Sequence, residues 1–521
     1  MADNAKCGES SASKIVEGYL ASSVNFVKSH QNIKFNGNSF YSDSETQPEI
    51  EAVELEDVET PILDALENFI NNPSIPLHIP GHARGEGVLP KFRRIVGDNI
   101  INLDITDEFD NLGTLHPADG PIAKSQELTA QTFGAAKSFF LVNGSTVGNL
   151  ALALTAAKNN KKVIINRNCH RSIVSGLCIS GANPVWAIPE RFKEWGIWGA
   201  IKPEEIERLL DENPDTTTVW ITNPTYEGIV SDVAAIAAIC KKKNVIFIVD
   251  EAHGCVWKFN KQLPPSALDL GADAVLHSMH KTGGSFSQSS VLHIGKNSKI
   301  NTQELEANLR MLHTTSPSYL LLASLDAARA YLSTKYGIER LENAVNNANM
   351  ARELLQNMPK VKCLHSHDGV NLDPTKIYVM IEGLSGKRLE SILEIEYQIE
   401  VESAADAGIL ALSNIGNTKE ELEYFCKCIE SIANSDYSDI TYLEKRKYMP
   451  FHTPQIICNP REAYTSSKEK ISPKKSIGRI SAEVIAECPP GIPILVPGEK
   501  ITGEHIPFLD NRKSIWVIKE E

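Results

Sequence analysis

Two ionisable side chains stand where strand patterns run out. Val245-Ile-Phe-Ile-Val249 is a short apolar run that ends in Asp250-Glu-Ala-His-Gly254, which places Asp250 at the carboxyl end of a buried strand. In open α/β sheets that edge is where ligands bind. A carboxylate partly withdrawn from water there needs a cationic partner to stay ionised. Thirty-one residues later, His277-Ser-Met-His-Lys281-Thr-Gly-Gly284 follows another short apolar run. A lysine at a second strand end, flanked by histidines and hydroxyls, suits Schiff-base chemistry, because burial and neighbours lower the pKa of an amine. Each residue alone has an ordinary explanation: Asp at a strand end is often a turn former, and a lone lysine usually covers a solvated face.

A third feature shifts that balance. Phe140-Leu-Val-Asn-Gly144-Ser145-Thr146 leads into the helical run Leu150-Ala-Leu-Ala-Leu154. A glycine followed by two hydroxyls opens the helix, where free backbone N–H groups and the dipole favour a phosphate. By itself this would be a routine Ser/Thr cap. Aspartate, lysine and a hydroxyl-rich helix start together fit pyridoxal 5'-phosphate, through its ring nitrogen, aldehyde and phosphate respectively.

These groups need elements that bring them to one edge. Strand candidates are Lys162–Asn166, Thr218–Thr222, Val245–Val249 and Ala274–Leu276, with helices expected at 145–157, 171–180, 203–212 and 232–242. Strand–helix alternation over 130–295 implies an α/β fold with a mainly parallel sheet covered on both faces. Thr60-Pro61 is the expected start of an amphipathic helix, with Thr60 as its N-cap. A helical stretch over 317–358 leads to a smaller α+β region at 360–435, with a strand at Lys376–Ile381 and helices at 387–395 and 419–432. The expected division is a leader (1–59), a large domain (60–335), a small α+β domain (336–435) and a C-terminal segment (436–521) whose Pro489-Pro-Gly-Ile-Pro493 run is too Pro-rich for a helix interior.

The chain has 521 residues, 42% of them apolar and 23% charged, with a net charge of −14. That balance argues against broad nucleic-acid binding and against docking on anionic lipid. No apolar run is long enough to span a bilayer. The ten cysteines are scattered without a Cys-x-x-Cys pair, which reads as reduced thiols with no structural zinc and no bound metal. Residues 1–42 are Ser-rich and lack arginine, and 43–59 hold eight acids and no base. This reads as a disordered acidic leader, or alternatively as a plastid-type transit segment; a cytoplasmic location goes with the first reading.

The ordered motifs resemble the Orn/Lys/Arg decarboxylase family of fold-type-I pyridoxal-phosphate enzymes. They are Ile79-Pro-Gly-His82, Phe139 to Asn149, Arg167-Asn-Cys-His170, Asn223-Pro-Thr-Tyr-Glu-Gly228, Val249 to Gly254, Ser278-Met-His-Lys281-Thr282, Thr314-Thr-Ser-Pro-Ser-Tyr319 and Pro489 to Pro493. The likeness covers about 60–500 and is similar to the short form of the group, arginine decarboxylases above all. It implies that Lys281 binds the cofactor covalently, Asp250 pairs the pyridine nitrogen and His170 stacks on the ring. It also implies that Ser145, Thr146, Ser278 and His280 hold the phosphate, and that Thr315 or Ser316 reaches the phosphate of a neighbouring subunit in a homodimer or larger assembly. His253 either approaches the cofactor or fills the strand–helix turn. Ala83, Arg84, Gly283-Gly284 and Cys488 depart from the family pattern without removing a cofactor contact.

The implied reaction is decarboxylation of a basic L-amino acid: arginine to agmatine first, then lysine to cadaverine or ornithine to putrescine, feeding polyamine synthesis. An aminotransferase or another lyase would use the same aspartate and lysine. Aminotransferases typically clamp the substrate α-carboxylate with a small-domain arginine, and 360–435 offers only Arg388. A cofactor-binding protein without catalysis is the reading from another class. The distal cation of a basic substrate needs a carboxylate, for which Glu483 and the acidic loop Asp104 to Asp110 are the candidates; an ordinary salt bridge is the alternative for Glu483.

Overall fold

A computed structural model describes residues 58–520 other than 73, 107, 108, 110, 367, 368, 438–454 and 488–490. The leader read over 1–59 lies outside the described residues except for its last two, as do Cys7, Cys488 and, in the Asp104 to Asp110 loop, Asp107, Glu108 and Asp110. The central sheet has seven strands: β1 Lys137–Leu141, β2 Lys162–Asn166, β3 Asn183–Ala187, β4 Thr216–Thr222, β5 Ile246–Asp250, β6 Ala274–His277 and β7 Ser290–Ile294. Their spatial order is β1-β7-β6-β5-β4-β2-β3. Strands β2 to β6 run parallel to their neighbours, and β7 is antiparallel to both β6 and β1. The sheet is therefore mainly parallel, as expected.

Strand β5 shows why its sequence is an unbroken apolar run. Phe247 and Val249 enter the core on one face, Ile248 joins Trp220 and Val163 in the core on the other, and all are buried. A sheet covered on both faces has no solvent side on which to place polar residues. Helices α1 Gly144–Ala156 and α2 Arg171–Ser180 pack on the second face.

The stretch expected as one helix over 317–358 is two, α3 Tyr319–Ser333 and α4 Lys335–Gln356. Thr334 adopts an extended conformation and its hydroxyl accepts the Gly337 N–H at 3.0 Å, which caps α4. The Thr60 cap differs too. Its hydroxyl donates to Asp64 at 2.8 Å, and the buried carboxylate of Asp326 on α3 accepts the Ile62 N–H at 2.9 Å instead.

A second sheet, all antiparallel, is formed by β8 Val361–Cys363, β9 Lys376–Ile381, β10 Ser403–Ala404 and β11 Ile409–Leu412 in the order β8-β9-β11-β10. In the C-terminal segment, Lys468–Ile471 pairs with Ile515–Ile518, and Ile485–Glu487 with Ile492–Leu495. This segment latches onto the start of α2: Arg167 donates to the Pro493 and Ile494 carbonyls, and the Arg171 N–H to the Gly491 carbonyl at 2.9 Å. Among the described residues, no helix is long and apolar enough to cross a membrane.

Candidate active site

Asp250 closes β5 at its carboxyl end, 3% exposed. Its carboxylate accepts from Asn149 Nδ2 of α1 at 3.1 Å and from the Ala252 N–H at 3.3 Å. Neither donor is a cation. The same Asn149 amide donates to Ser172 Oγ at 2.9 Å, and Ser172 Oγ lies 2.7 Å from His170 Nδ1. Because the Ser172 backbone N–H also donates to that nitrogen, as the N-cap of α2, Nδ1 holds a lone pair and the ring proton sits on Nε2. Burial lowers the pKa of His170, with Lys281 and Arg171 adding to the effect against the pull of Asp250. The imidazole is neutral.

Helix α1 begins at Gly144, whose φ of +72° suits glycine. Asn143, at the N-cap, makes no cap bond, because its side-chain oxygen accepts the Thr314 N–H at 3.1 Å. Beside this open helix start, Ser145 Oγ lies 2.6 Å from Ser278 Oγ and 3.0 Å from Ser290 Oγ. Thr146 is exposed in the same first turn. His280 donates from Nδ1 to the Ser289 carbonyl at 2.9 Å, and burial lowers its pKa.

Lys281 sits on a one-turn helix, Met279–Thr282, just after β6. Its Nζ lies 2.9 Å from His253 Nε2. Burial pushes its pKa down, opposed by the fields of Asp250, Glu402 and Cys255. The second nitrogen of His253, Nδ1, lies 2.7 Å from Nζ of Lys376, the first residue of β9, which is completely buried. Burial pushes the Lys376 pKa down to about 8, against the raising effect of Asp373. His253 is also driven well below its ordinary pKa by burial, then by the two lysines. Gly228, with φ of +99°, makes room for this arrangement, since a Cβ there would stand 2.7 Å from Lys376 Cβ. The Tyr226 ring stands nearly perpendicular to that of His253, centroids 5.2 Å apart, and its hydroxyl donates to exposed Glu402 at 2.6 Å.

The structure thus joins Asp250 to His170 through Asn149 and Ser172, links Ser145 with Ser278, and places His253 on Lys281. Glu483 is not joined to them: its carboxylate accepts the Trp516 N–H at 2.7 Å within the C-terminal segment. Asp104 pairs with His82 at 3.2 Å. Arg388 stacks over the Tyr437 ring at 5.9 Å. Sequence reasoning gave no role to Asn149, Tyr226, Ser290, Lys376 or Glu402. Asn149 and Tyr226 lie inside motifs already singled out, whereas Lys376 and Glu402 carry no local signal.

A family model described as Orn/Lys/Arg decarboxylase, major domain, matches residues 60–399, and one described as the C-terminal domain of the same group matches 442–515. An arginine decarboxylase of Bacillus subtilis is 35% identical over 459 residues, covering 87% of this chain and 93% of the relative. A lysine decarboxylase of Pseudomonas aeruginosa is 25% identical, covering 86% of this chain and 75% of the relative. In fold, the crystal structure of a Francisella novicida lysine decarboxylase aligns with a TM-score of 0.78 at 21% identity, over 89% of this chain and 82% of the other.

Proposed function

The chain belongs to the Orn/Lys/Arg decarboxylase family, and from that premise we propose that it removes the α-carboxylate of L-arginine, with pyridoxal 5'-phosphate bound at Lys281. Decarboxylation of a basic amino acid follows from the family. Arginine as the substrate is supported by relatives 33–35% identical that are named arginine decarboxylases. Lysine and ornithine are the competing substrates, and supply of a polyamine precursor is the role such a product would have.

The residues fit the cofactor. Asp250 is a dry carboxylate whose described hydrogen bonds all come from neutral donors, so a protonated ring nitrogen would complete it. The uncapped start of α1, with Ser145, Ser278 and Ser290 beside it, suits a phosphate, and Thr146 and His280 flank it. His170, neutral with its proton on Nε2, offers an imidazole face next to the Asp250 network. The observation that carries the reading is this dry aspartate, bonded among the described residues to neutral donors, on the same sheet edge as the half-buried Lys281.

When bound, the cofactor supplies an electron sink for the pair left at Cα as the bond to the carboxylate breaks. The chain's own residues do the rest. Lys281 offers an amine whose burial favours the uncharged, nucleophilic form. Asp250 keeps a proton on a nitrogen facing it, because an unpaired carboxylate in that dry position is costly. Asn149 holds Asp250 and, through Ser172, the tautomer of His170. For the distal cation, Glu402 supports the recognition role better than Glu483 does: its field reaches Lys281, His280 and Lys376, whereas Glu483 is engaged by Trp516. Thr315 or Ser316 completing a partner's phosphate site in a homodimer is part of the same proposal.

The aminotransferase alternative loses support from Arg388, whose guanidinium lies over Tyr437. Purified protein supplied with the cofactor and, separately, arginine, lysine and ornithine tests the proposal. The expected result is CO₂ and agmatine from arginine at the highest kcat/KM; release of a keto acid without CO₂ would replace this reading with transamination.

A further inference from the structure

His253 meets a lysine amine at each ring nitrogen: Lys281 Nζ at 2.9 Å from Nε2 and Lys376 Nζ at 2.7 Å from Nδ1. The three groups arrive on separate elements, the turn after β5, the one-turn helix after β6, and β9. Proton counting restricts their charges. A neutral imidazole has one lone pair and one N–H. The lone pair can accept from an ammonium, but the N–H must face a nitrogen with a lone pair of its own, which only an unprotonated amine has. An imidazolium would require both amines to be neutral. At least one lysine is therefore a free base whichever form His253 takes.

The surroundings agree with that count. Lys376 is completely buried, and among the described residues its Nζ has one hydrogen-bond partner, His253. The carboxylate of Asp373, three residues before Lys376, is already occupied by Trp257 Nε1 at 2.9 Å and by the Thr375 N–H and hydroxyl. A buried ammonium without a contacting carboxylate is costly, so sharing a single proton between the two lysines relieves both.

We infer that Lys376, His253 and Lys281 form a proton relay that leaves the Lys281 amine neutral by moving its proton to Lys376. In the step, the N–H bond at Lys281 breaks as one forms at His253 Nε2, and the Nδ1–H bond breaks as the Lys376 amine takes that proton. The imidazole ends as its other tautomer and the total charge is unchanged. The reverse step returns a proton to Lys281. Lys376 is a positioning residue, acting on Lys281 through the imidazole. The groups acting on the Lys376 end are Asp373, Glu402 and half-buried Glu227; on the Lys281 end they are Asp250, Glu402 and Cys255; His170 and His280 act on His253 itself.

The inference rests on Lys281 being the cofactor lysine, but its test reads protonation rather than turnover, so its failure is distinct from failure of the decarboxylation assay. Full-length protein freed of cofactor is pulsed with acetic anhydride across a pH series, and acetylation of Lys281 is quantified on its peptide by mass spectrometry. The unaltered protein should show a midpoint below the ordinary lysine value of about 10.4. Lys376→Met removes the partner that shares the proton and should raise the midpoint by about one unit, slowing labelling about tenfold at neutral pH. Lys376→Arg keeps a permanent donor on Nδ1, which turns the Nε2–H toward Lys281, and should hold the midpoint near the unaltered value. A merely structural lysine would lower thermal stability in both variants without moving the midpoint. An ordinary midpoint in the unaltered protein, or an unmoved midpoint in folded Lys376→Met, would overturn the relay; if that variant does not fold, the unaltered midpoint decides.

Discussion

The Asp250 neighbourhood and the His253 neighbourhood handle buried charge in opposite ways. Around Asp250 there is one carboxylate, neutral donors from Asn149 and the Ala252 amide, and a neutral His170 tied in through Ser172. That side has an anion awaiting a cation. Around His253 there are two amines on one imidazole. That side has more base than protons. The contrast matches the two demands of the proposed chemistry: an electron sink needs a proton held in place, and a nucleophilic lysine needs one kept away. Both neighbourhoods act on Lys281: the field of Asp250 raises its affinity for a proton, and His253 Nε2 lies 2.9 Å from its Nζ.

The largest effect should come from removing the group on which both neighbourhoods act. Lys281→Ala is expected to abolish turnover and the visible absorbance of bound cofactor; decarboxylation above about 1% of the unaltered rate, roughly 2.7 kcal/mol of barrier, would contradict the assignment. Next comes the anionic side. Asp250→Asn should still bind cofactor yet lose several orders of magnitude in kcat, because an amide cannot hold the ring proton. Near-normal kcat would reduce Asp250 to a turn residue.

At the rim of the basic side, Glu402→Gln should raise KM for the basic substrate about tenfold or more with cofactor affinity little changed. Losing a hydrogen bond to a charged group costs about 1.5–3 kcal/mol. An unchanged KM would return Glu402 to its bond with Tyr226. The basic side also has a signature in stability. Lys376 releases its proton near pH 8 when folded and about 10.4 when unfolded, so between those values the unfolded chain binds more protons and stability rises with pH. The difference in Tm between the unaltered protein and Lys376→Met should therefore move in favour of the unaltered protein from pH 7 to pH 10. A difference independent of pH would show that Lys376 has an ordinary pKa. The smallest effect is expected at Glu483, where Gln keeps an acceptor for the Trp516 N–H and should leave KM unchanged; a large rise in KM would restore Glu483 to substrate recognition.

The same contrast separates what could be read in the sequence from what could not. Asp250, Lys281 and Ser145 follow short runs of strand or precede a helix, so local pattern alone places them on one sheet edge. His170 and the Ser172 N–H it caps lie two residues apart, and the strand at Lys376–Ile381 was legible in its bounds. The burial of Lys376 was not. A lysine opening a strand ordinarily reaches water, and this one is enclosed only because Gly228, far away in sequence, lets its stem pass. Glu402 likewise acquires its place from the second sheet rather than from its neighbours in the chain. Thr334 breaking a long helical pattern had a local signal, a threonine followed by a glycine three residues on, which the apolar periodicity on either side obscured.

Half-buried Lys281 and fully buried Lys376 share one imidazole, and either amine could in principle bind the cofactor. Reducing the cofactor-loaded enzyme with borohydride, digesting it and mapping the pyridoxyl group by mass spectrometry tells the two apart directly. The label is expected on Lys281, with Lys376 unmodified. Label on Lys376, or loaded enzyme that retains no label after reduction, would contradict it.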